Sequence, residues 1–436
     1  MKKRVIGFFG VLLMVVSLFL VGSNLFQINK TVTITLGVFA GSNWDVPNGD
    51  CYRIFEDAIR YFEKNHPNVK VEMVSGIVKE NYVEWISQQA ILKKVPDVIM
   101  VPSEDFSMFA QTGILLNLDA YIKNDRNFDL YDFYTPSREA GVYQGSQYAL
   151  PFESVPTLMY VNKTLLEREG IPLPDNNWTW EEFYQICDQV TKDRDGDGRL
   201  DQFGVYGYDW LSAAHSNNAS LFNQNGEITL TSDAMEESVR FVKKLNALNQ
   251  NIEITAQDFD EGKVAFCPMK FSEYRAYKPY PWRVKKYSNF EWDCLMLPAG
   301  INGDNTSEIT TLSMGISSHS QNKRYAWEFL KTLTYDETIQ KELFSVSQGV
   351  SVLKKVTESE DVIQILMQDN PGDSTFQMRM LSEVMEKGSV STYFTGYEEI
   401  ISRLDAEMYR IINDGNGDIE DELNTLQQKC QTYMKE

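Results

Sequence analysis

Carboxylates are the groups in this chain whose spacing most suggests chemistry. Asp193, Asp195, Asp197 and Asp201 fall at positions one, three, five and nine of a loop, with Gly198 at six and the Arg199 carbonyl at seven. That alternation is what a hard cation with oxygen ligands needs, and it matches the front of a calcium loop. Gly204 stands at position twelve, where an EF-hand supplies a bidentate Glu, so any closing ligand must come from elsewhere. Without a cation the four Asp residues repel one another. The competing reading is a polar Asp/Gly turn between a helix and a strand. A fully caged ion leaves no open position for chemistry, so the expected role of a bound calcium is structural, with Asp193, Asp195, Asp197, Arg199 and Asp201 around it.

A second set of residues suits the holding of a polyol. Glu104 and Asp105 follow the apolar run VPDVIMV, Phe152 and Glu153 follow Pro151, and Asp209 and Trp210 follow the run beginning at Phe203. Trp44 sits in the loop AGSNWDVPNGD, and Phe271 and Tyr274 in a loop of mixed polarity. Carboxylates accept pairs of hydroxyl hydrogens, and aromatic faces cover the C–H patches of a sugar ring. Each has a plainer alternative: first-turn helix charges for Glu104 and Asp105, packing for the aromatics. The chain has three His, at 66, 215 and 319, and none stands beside a Ser or Cys in a nucleophile motif. A glycan-acting enzyme would have to rest on a carboxylate pair that sequence does not reveal. These residues read as a set that holds something rather than one that breaks bonds, and no catalytic cofactor is implied.

These groups need a scaffold, and the composition bounds it. At 436 residues the chain is too long for one ordinary core, so two lobes are expected. A net charge of −21 argues against nucleic acid, whose phosphates need clustered Lys and Arg. Five Cys without CxxC spacing indicate neither a zinc site nor a disulfide framework, and buried free thiols are expected. Lys2, Lys3 and Arg4 precede an apolar run from Val5 to Val21, the pattern of a secretory signal. The run also reaches the lower limit for a membrane-spanning helix. Leu20-Val21-Gly22-Ser23 resembles a bacterial lipobox with Ser where the lipidated Cys would stand. Cleavage near Ser23 and retention as an anchor are the two expectations, and both place the rest of the chain outside the cell, at its surface.

Strand and helix patterns alternate from Thr31 onward. TVTITLGVF reads as a strand, Cys51–Asn65 as a helix stopped by His66-Pro67, Val69–Val74 as a strand, Tyr82–Leu92 as a helix and VPDVIMV as a buried parallel strand. Such alternation predicts a parallel α/β lobe. Tyr148–Val161 reads as a strand crossing between lobes, with Phe152 and Glu153 lining the cleft. Thr179-Trp180-Glu181-Glu182 is a capping box opening a helix. Phe203–Trp210, Gly262–Phe266, Trp292–Leu297 and Thr310–Ser317 read as strands, Pro298-Ala299-Gly300 as a second crossing and Gly349-Val350 as a third.

The ordered pieces resemble a family 1 extracellular solute-binding protein of an ABC importer, the group containing the maltose-binding protein. They are EKNHPNVKVE, PDVIMV…FAQTGILLNLD, GSQYALPF…LMYVNKTLLEREGI, WTWEEF, DGDGRLDQFG, FDEGKVAF, LMLPAG and SHSQNKRYAWEFLKTLT. Together they span Thr31 to about Lys355. The resemblance implies a two-lobed periplasmic-binding-protein-like α/β fold, about three crossings and an interlobe cleft that closes on its ligand. It implies lobes at 31–150 plus 301–350 and 151–300 plus 351–436, after an N-terminal segment 1–30. It also implies that Trp44, Glu104, Asp105, Glu153 and Trp210 contact a carbohydrate, and that Phe271 and Tyr274 stand where many members have a Trp. The acidic loop resembles the calcium loop of some members. A monomer working with permease subunits at the membrane is the implied setting; a polyamine is the alternative solute.

Overall fold

The computed structural model describes residues 31–433, apart from 45, 47, 223–226, 277–289, 369–377, 391–396 and 415–416. The N-terminal signal or anchor segment therefore lies outside the described residues. Among those described, no helix is long and apolar enough to cross a membrane.

One strand joins the two halves. β6 (Ala149–Asn162) is buried along nearly its whole length because both its faces are covered. Its first part pairs antiparallel with β10 (Ile309–Ile316), from Gly315 opposite Ala149 to Ile309 opposite Pro156. Its second part pairs antiparallel with β8 (Val264–Lys270) and β9 (Trp292–Leu295). The first sheet continues outward through β3 (Val98–Val101) and β1 (Val32–Ala40) to β2 (Val69–Val78), the last three parallel. Beyond β8 the second sheet ends in the parallel β7 (Phe203–Val205). A short hairpin, β4 (Val142–Tyr143) with β5 (Ser146–Gln147), leads into β6, and β11 (Val350–Ser351) pairs with its first part.

The elements form where their patterns demand. The four residues of β3 are all buried, as a central parallel strand covered on both faces requires. Helix Arg53–Asn65 buries Ile54, Phe55, Ala58 and Phe62, one stripe at helical spacing, and stops where His66 donates its backbone N–H to Phe62. The Tyr82 hydroxyl lies 3.0 Å from the Gly37 carbonyl and 3.3 Å from that of Met100, which ties β1 to β3 beneath helix Lys79–Ile91. In the second half, Thr179 and Glu182 complete the reciprocal capping box expected at the start of helix Trp180–Val190.

Two apolar clusters result. The first surrounds the first sheet and continues onto one face of the second, through Leu158, Tyr160, Phe203 and Cys267. The other cluster covers the opposite face, where Met159 and Val161 meet Trp178, Phe183, Phe266 and the C-terminal helices. The period of two along β6 thus divides its residues between the cores. All five cysteines are free, and Cys267 and Cys294 lie on the two strands flanking Tyr160.

The structure corrects the expected path in three places. Gly349-Val350 is not a crossing, because Val350 and Ser351 pair with Ser154 and Glu153 within the first sheet. The chain crosses later: Ser389 donates to Ser307 and accepts from Ile309, beside the crossing of residues 298–308. The tail 351–436, expected wholly in the second lobe, accordingly divides. Val352 to Met385 pack in the first cluster and Tyr397 to Cys430 in the second. Finally, the strand expected over Phe203–Trp210 stops at Val205, and Trp210 opens a helix instead.

Candidate functional site

In the first lobe the expected carboxylates lie at the C-terminal end of β3. Glu104 and Asp105 occupy the first turn of helix Ser103–Gln111, where the helix dipole favours negative charge. Lys79 donates to the Asn43 carbonyl at 3.0 Å and lies 3.8 Å from Glu104, so the loop after β1 and the turn after β3 share one cation. Burial pushes the Asp105 carboxyl up to about 7, the negative charge of Glu104 adds to the rise, and Lys79 opposes it.

Glu153 stands on β6 and is only 5% exposed. Burial pushes its carboxyl up to about 7, against the donors around it. The Ser347 hydroxyl donates to it, and the Trp44 indole N–H faces it without closing a hydrogen bond. A Cβ at Gly349 would stand 2.5 Å from Glu153 Oε2, so only glycine lets the backbone approach the carboxylate this closely. Arg275, on helix Phe271–Ala276 after β8, reaches across to the carbonyls of Phe344 and Ser347, the latter at 3.1 Å. Its charge lies close enough to lower the Glu153 pKa. One short run, Ser347 to Gly349, therefore touches both lobes and the crossing strand.

The expected aromatic platforms do not present open faces. Trp44, Phe152, Trp210 and Phe271 are all 3% exposed or less and belong to the cores. Phe152 stacks on Phe55 at 5.4 Å. The Trp210 indole N–H donates to Asp405 at 2.8 Å, while exposed Asp209 caps that helix by accepting from Ser212. The Tyr274 side chain lies outside the described residues.

A cavity of about 240 Å³ opens where the late crossing meets the second lobe. His215, Asn218 and Ser220 supply polar groups from helix Trp210–Ser216 and the turn after it, Ser389 supplies one from the crossing, and Phe222 and Tyr397 supply rings. No Lys, Arg, Asp or Glu lines it among the described residues. His215 Nδ1 lies 2.6 Å from Ser389 Oγ. A Ser–His contact alone does not make a nucleophile, because the base needs a third group to orient it. Sequence could not find this pair: 174 positions separate the two residues.

The acidic loop folds as a tight succession of turns. Asp193 accepts from the backbone N–H of Gly196 and of Gly198, each at 2.7 Å, Asp195 from Asp197, and Asp197 from Arg199. Those two glycine N–H groups hold the Asp193 carboxyl below the usual range. Asp201 accepts from Arg194 at 2.9 Å, and Lys192 pairs with Gln202 at the base. Oxygens of Asp193, Asp195 and Asp197 all lie within 4.8 Å of one another, a spacing that fits one hard cation.

A two-lobed α/β body joined through one shared strand and further crossings is the architecture of a solute-binding protein. The chain belongs to the bacterial extracellular solute-binding protein family, whose model matches residues 48–339. A curated relative, an uncharacterized lipoprotein from Streptomyces antibioticus, is 24% identical over 310 residues, covering 64% of this chain and 62% of the relative. The sugar-binding protein MalE from Xanthomonas citri has the same fold at a TM-score of 0.75, with 15% identity over 93% of this chain and 98% of that one. An ABC substrate-binding protein from Listeria monocytogenes, solved in complex with cycloalternan, matches at a TM-score of 0.67, with 18% identity over 93% of this chain and 100% of that one. A cyclo/maltodextrin-binding protein complexed with maltotetraose matches at 0.70, with 17% identity, covering 93% and 97%.

Proposed function

We propose that this chain is the substrate-binding component of an ABC importer. It works outside the cytoplasmic membrane, capturing a neutral carbohydrate of oligosaccharide size and passing it to permease subunits without altering it. The observation that carries the solute class is the 240 Å³ cavity at the crossing. Its described wall combines hydroxyl, amide and imidazole groups with ring faces and includes no Lys, Arg, Asp or Glu, which suits hydroxyls and C–H patches better than a phosphate or a polyamine. The solved proteins of like fold carrying cycloalternan or maltotetraose support the same class. Glu104 and Asp105 supply further hydroxyl acceptors from the first lobe, and Asp209 stands exposed on the second.

The acidic loop is the proposed seat of one calcium ion, held by Asp193, Asp195, Asp197, the Arg199 carbonyl and Asp201. It braces the link between helix Trp180–Val190 and β7 and takes no part in solute chemistry.

The test is a thermal-shift and calorimetry panel of mono-, oligo- and acidic sugars together with polyamines. A neutral oligosaccharide that raises the melting temperature by mass action is expected. A shift with spermidine and none with any sugar refutes the reading.

A further inference from the structure

A smaller cavity lies beside Glu153. It measures about 20 Å³ and is lined by Asn43, Glu153, Ser347 and Gln348 over an apolar floor that includes Phe39 and Met100. That volume holds about one water; a pyranose ring is many times larger. Three buried polar atoms of this neighbourhood meet no hydrogen-bond partner among the described residues: Asn43 Oδ1, Gln348 Oε1 and Trp44 Nε1. Asn43 and Trp44 are themselves 9% and 3% exposed. Two are acceptors and one is a donor. The two acceptors belong to residues that line the cavity, and a water molecule donates twice, so its valence answers both; the donor, on Trp44, lies outside the lining and faces Glu153.

We propose that a single water occupies this cavity, bonded to Asn43 and Gln348, and that Glu153 is a positioning residue for the Trp44 and Ser347 wall rather than a direct partner of the ligand. Lys79 donates to the Asn43 carbonyl and pairs with Glu104, so this wall connects to the first-lobe hydroxyl acceptors through loop 41–44. This rests on the binding-protein reading above. Gly349 and Ser347 close the carboxylate off on the hinge side, Trp44 on the other, and Arg275 fixes Ser347 from the second lobe. Glu153 thereby couples loop 41–44 to the run 347–349.

The test is crystallography of the intact chain at a resolution that shows ordered water, alone and soaked with maltotetraose, together with the affinities of two variants. One water within hydrogen-bonding distance of Asn43 Oδ1 and Gln348 Oε1 is expected in both states. A dry cavity, or a sugar hydroxyl bonded to Glu153, overturns the proposal. Glu153→Ala removes the brace and weakens binding at least ten-fold, while Glu153→Gln, which keeps the shape and the Ser347 contact, recovers affinity to within about three-fold of the unaltered chain. A direct hydroxyl acceptor would instead lose about ten- to hundred-fold in Glu153→Gln, since a hydrogen bond to a charged group is worth that much. Should Glu153→Gln fail to fold, Ser347→Ala is measured: weaker binding with the ligand pose unchanged supports the brace, and unchanged binding overturns it. If neither maltotetraose nor any other sugar binds the unaltered chain, the carbohydrate reading fails, and the density of the unliganded cavity still decides the water.

Discussion

Replacing Glu153 by Gln should make the chain's stability less dependent on pH, and the size of the effect follows from burial. The carboxyl is pushed up to about 7 because it is buried, and the Ser347 hydroxyl, the Gly349 N–H, the Trp44 indole and the Arg275 charge only partly offset the cost of its charge. In the unfolded chain the same group titrates near its ordinary value of about 4.3. Between those two values the folded state binds more protons than the unfolded state. The stability that a raised carboxyl contributes is therefore present at low pH and is lost as pH climbs through 7. A rise of this size corresponds to on the order of 3 kcal/mol. For a lobe of about 200 residues that is a shift of roughly 5–10 °C in melting temperature. Gln has no such titration. The difference in melting temperature between Glu153→Gln and the unaltered chain should accordingly grow by that amount from pH 5 to pH 8, in favour of the variant. Differential scanning calorimetry across that range measures it. Parallel profiles would refute the reasoning, because they would mean that Glu153 is charged at no cost and is open to water.

Other consequences are equally direct. Gly349→Ala drives a methyl to 2.5 Å from Glu153 Oε2 and should cost about 1–3 kcal/mol in denaturant unfolding, with no loss expected for an alanine placed at exposed Gly49. Trp210→Phe removes the indole donor from Asp405, an exposed carboxylate that water can serve instead, and should destabilise the second lobe by no more than about 0.5–1.5 kcal/mol, most at high pH, where Asp405 must be charged. Calcium at about a hundred times its dissociation constant should raise stability by roughly 2.7 kcal/mol over an EDTA-treated, metal-free sample, and Asp193→Ala should abolish the gain. Equal melting with and without calcium would remove the ion from the account.

Much of this architecture was legible in the chain because its signals are local. The strand of Val98–Val101, the stripe Ile54, Phe55, Ala58 and Phe62 and the Thr179–Glu182 box each announce themselves within a few residues, and each stands where expected. The ordered run of such pieces carried the family, and the two-lobed fold with it. The aromatic candidates misled because a Trp or Phe beside a strand end has the same signature whether it faces a ligand or a core. Phe152 packs on Phe55, and Trp210 turns inward to Asp405. The third crossing was misplaced because Gly349 looks like a hinge glycine. It is small instead to admit the Glu153 carboxylate, a contact across 196 positions that no local pattern encodes. Arg275, Ser347, Gln348 and the His215–Ser389 pair were missed for the same reason: each acquires its role only when distant segments meet.

Solute capture without chemistry is tested by isothermal titration calorimetry of the intact chain with neutral oligosaccharides, maltotetraose among them, against spermidine, followed by analysis of the recovered sugar. Saturable binding of at least one neutral oligosaccharide, no heat with spermidine, and sugar returned unchanged are expected. Binding of spermidine alone, or recovery of a cleaved sugar, would contradict the proposed function.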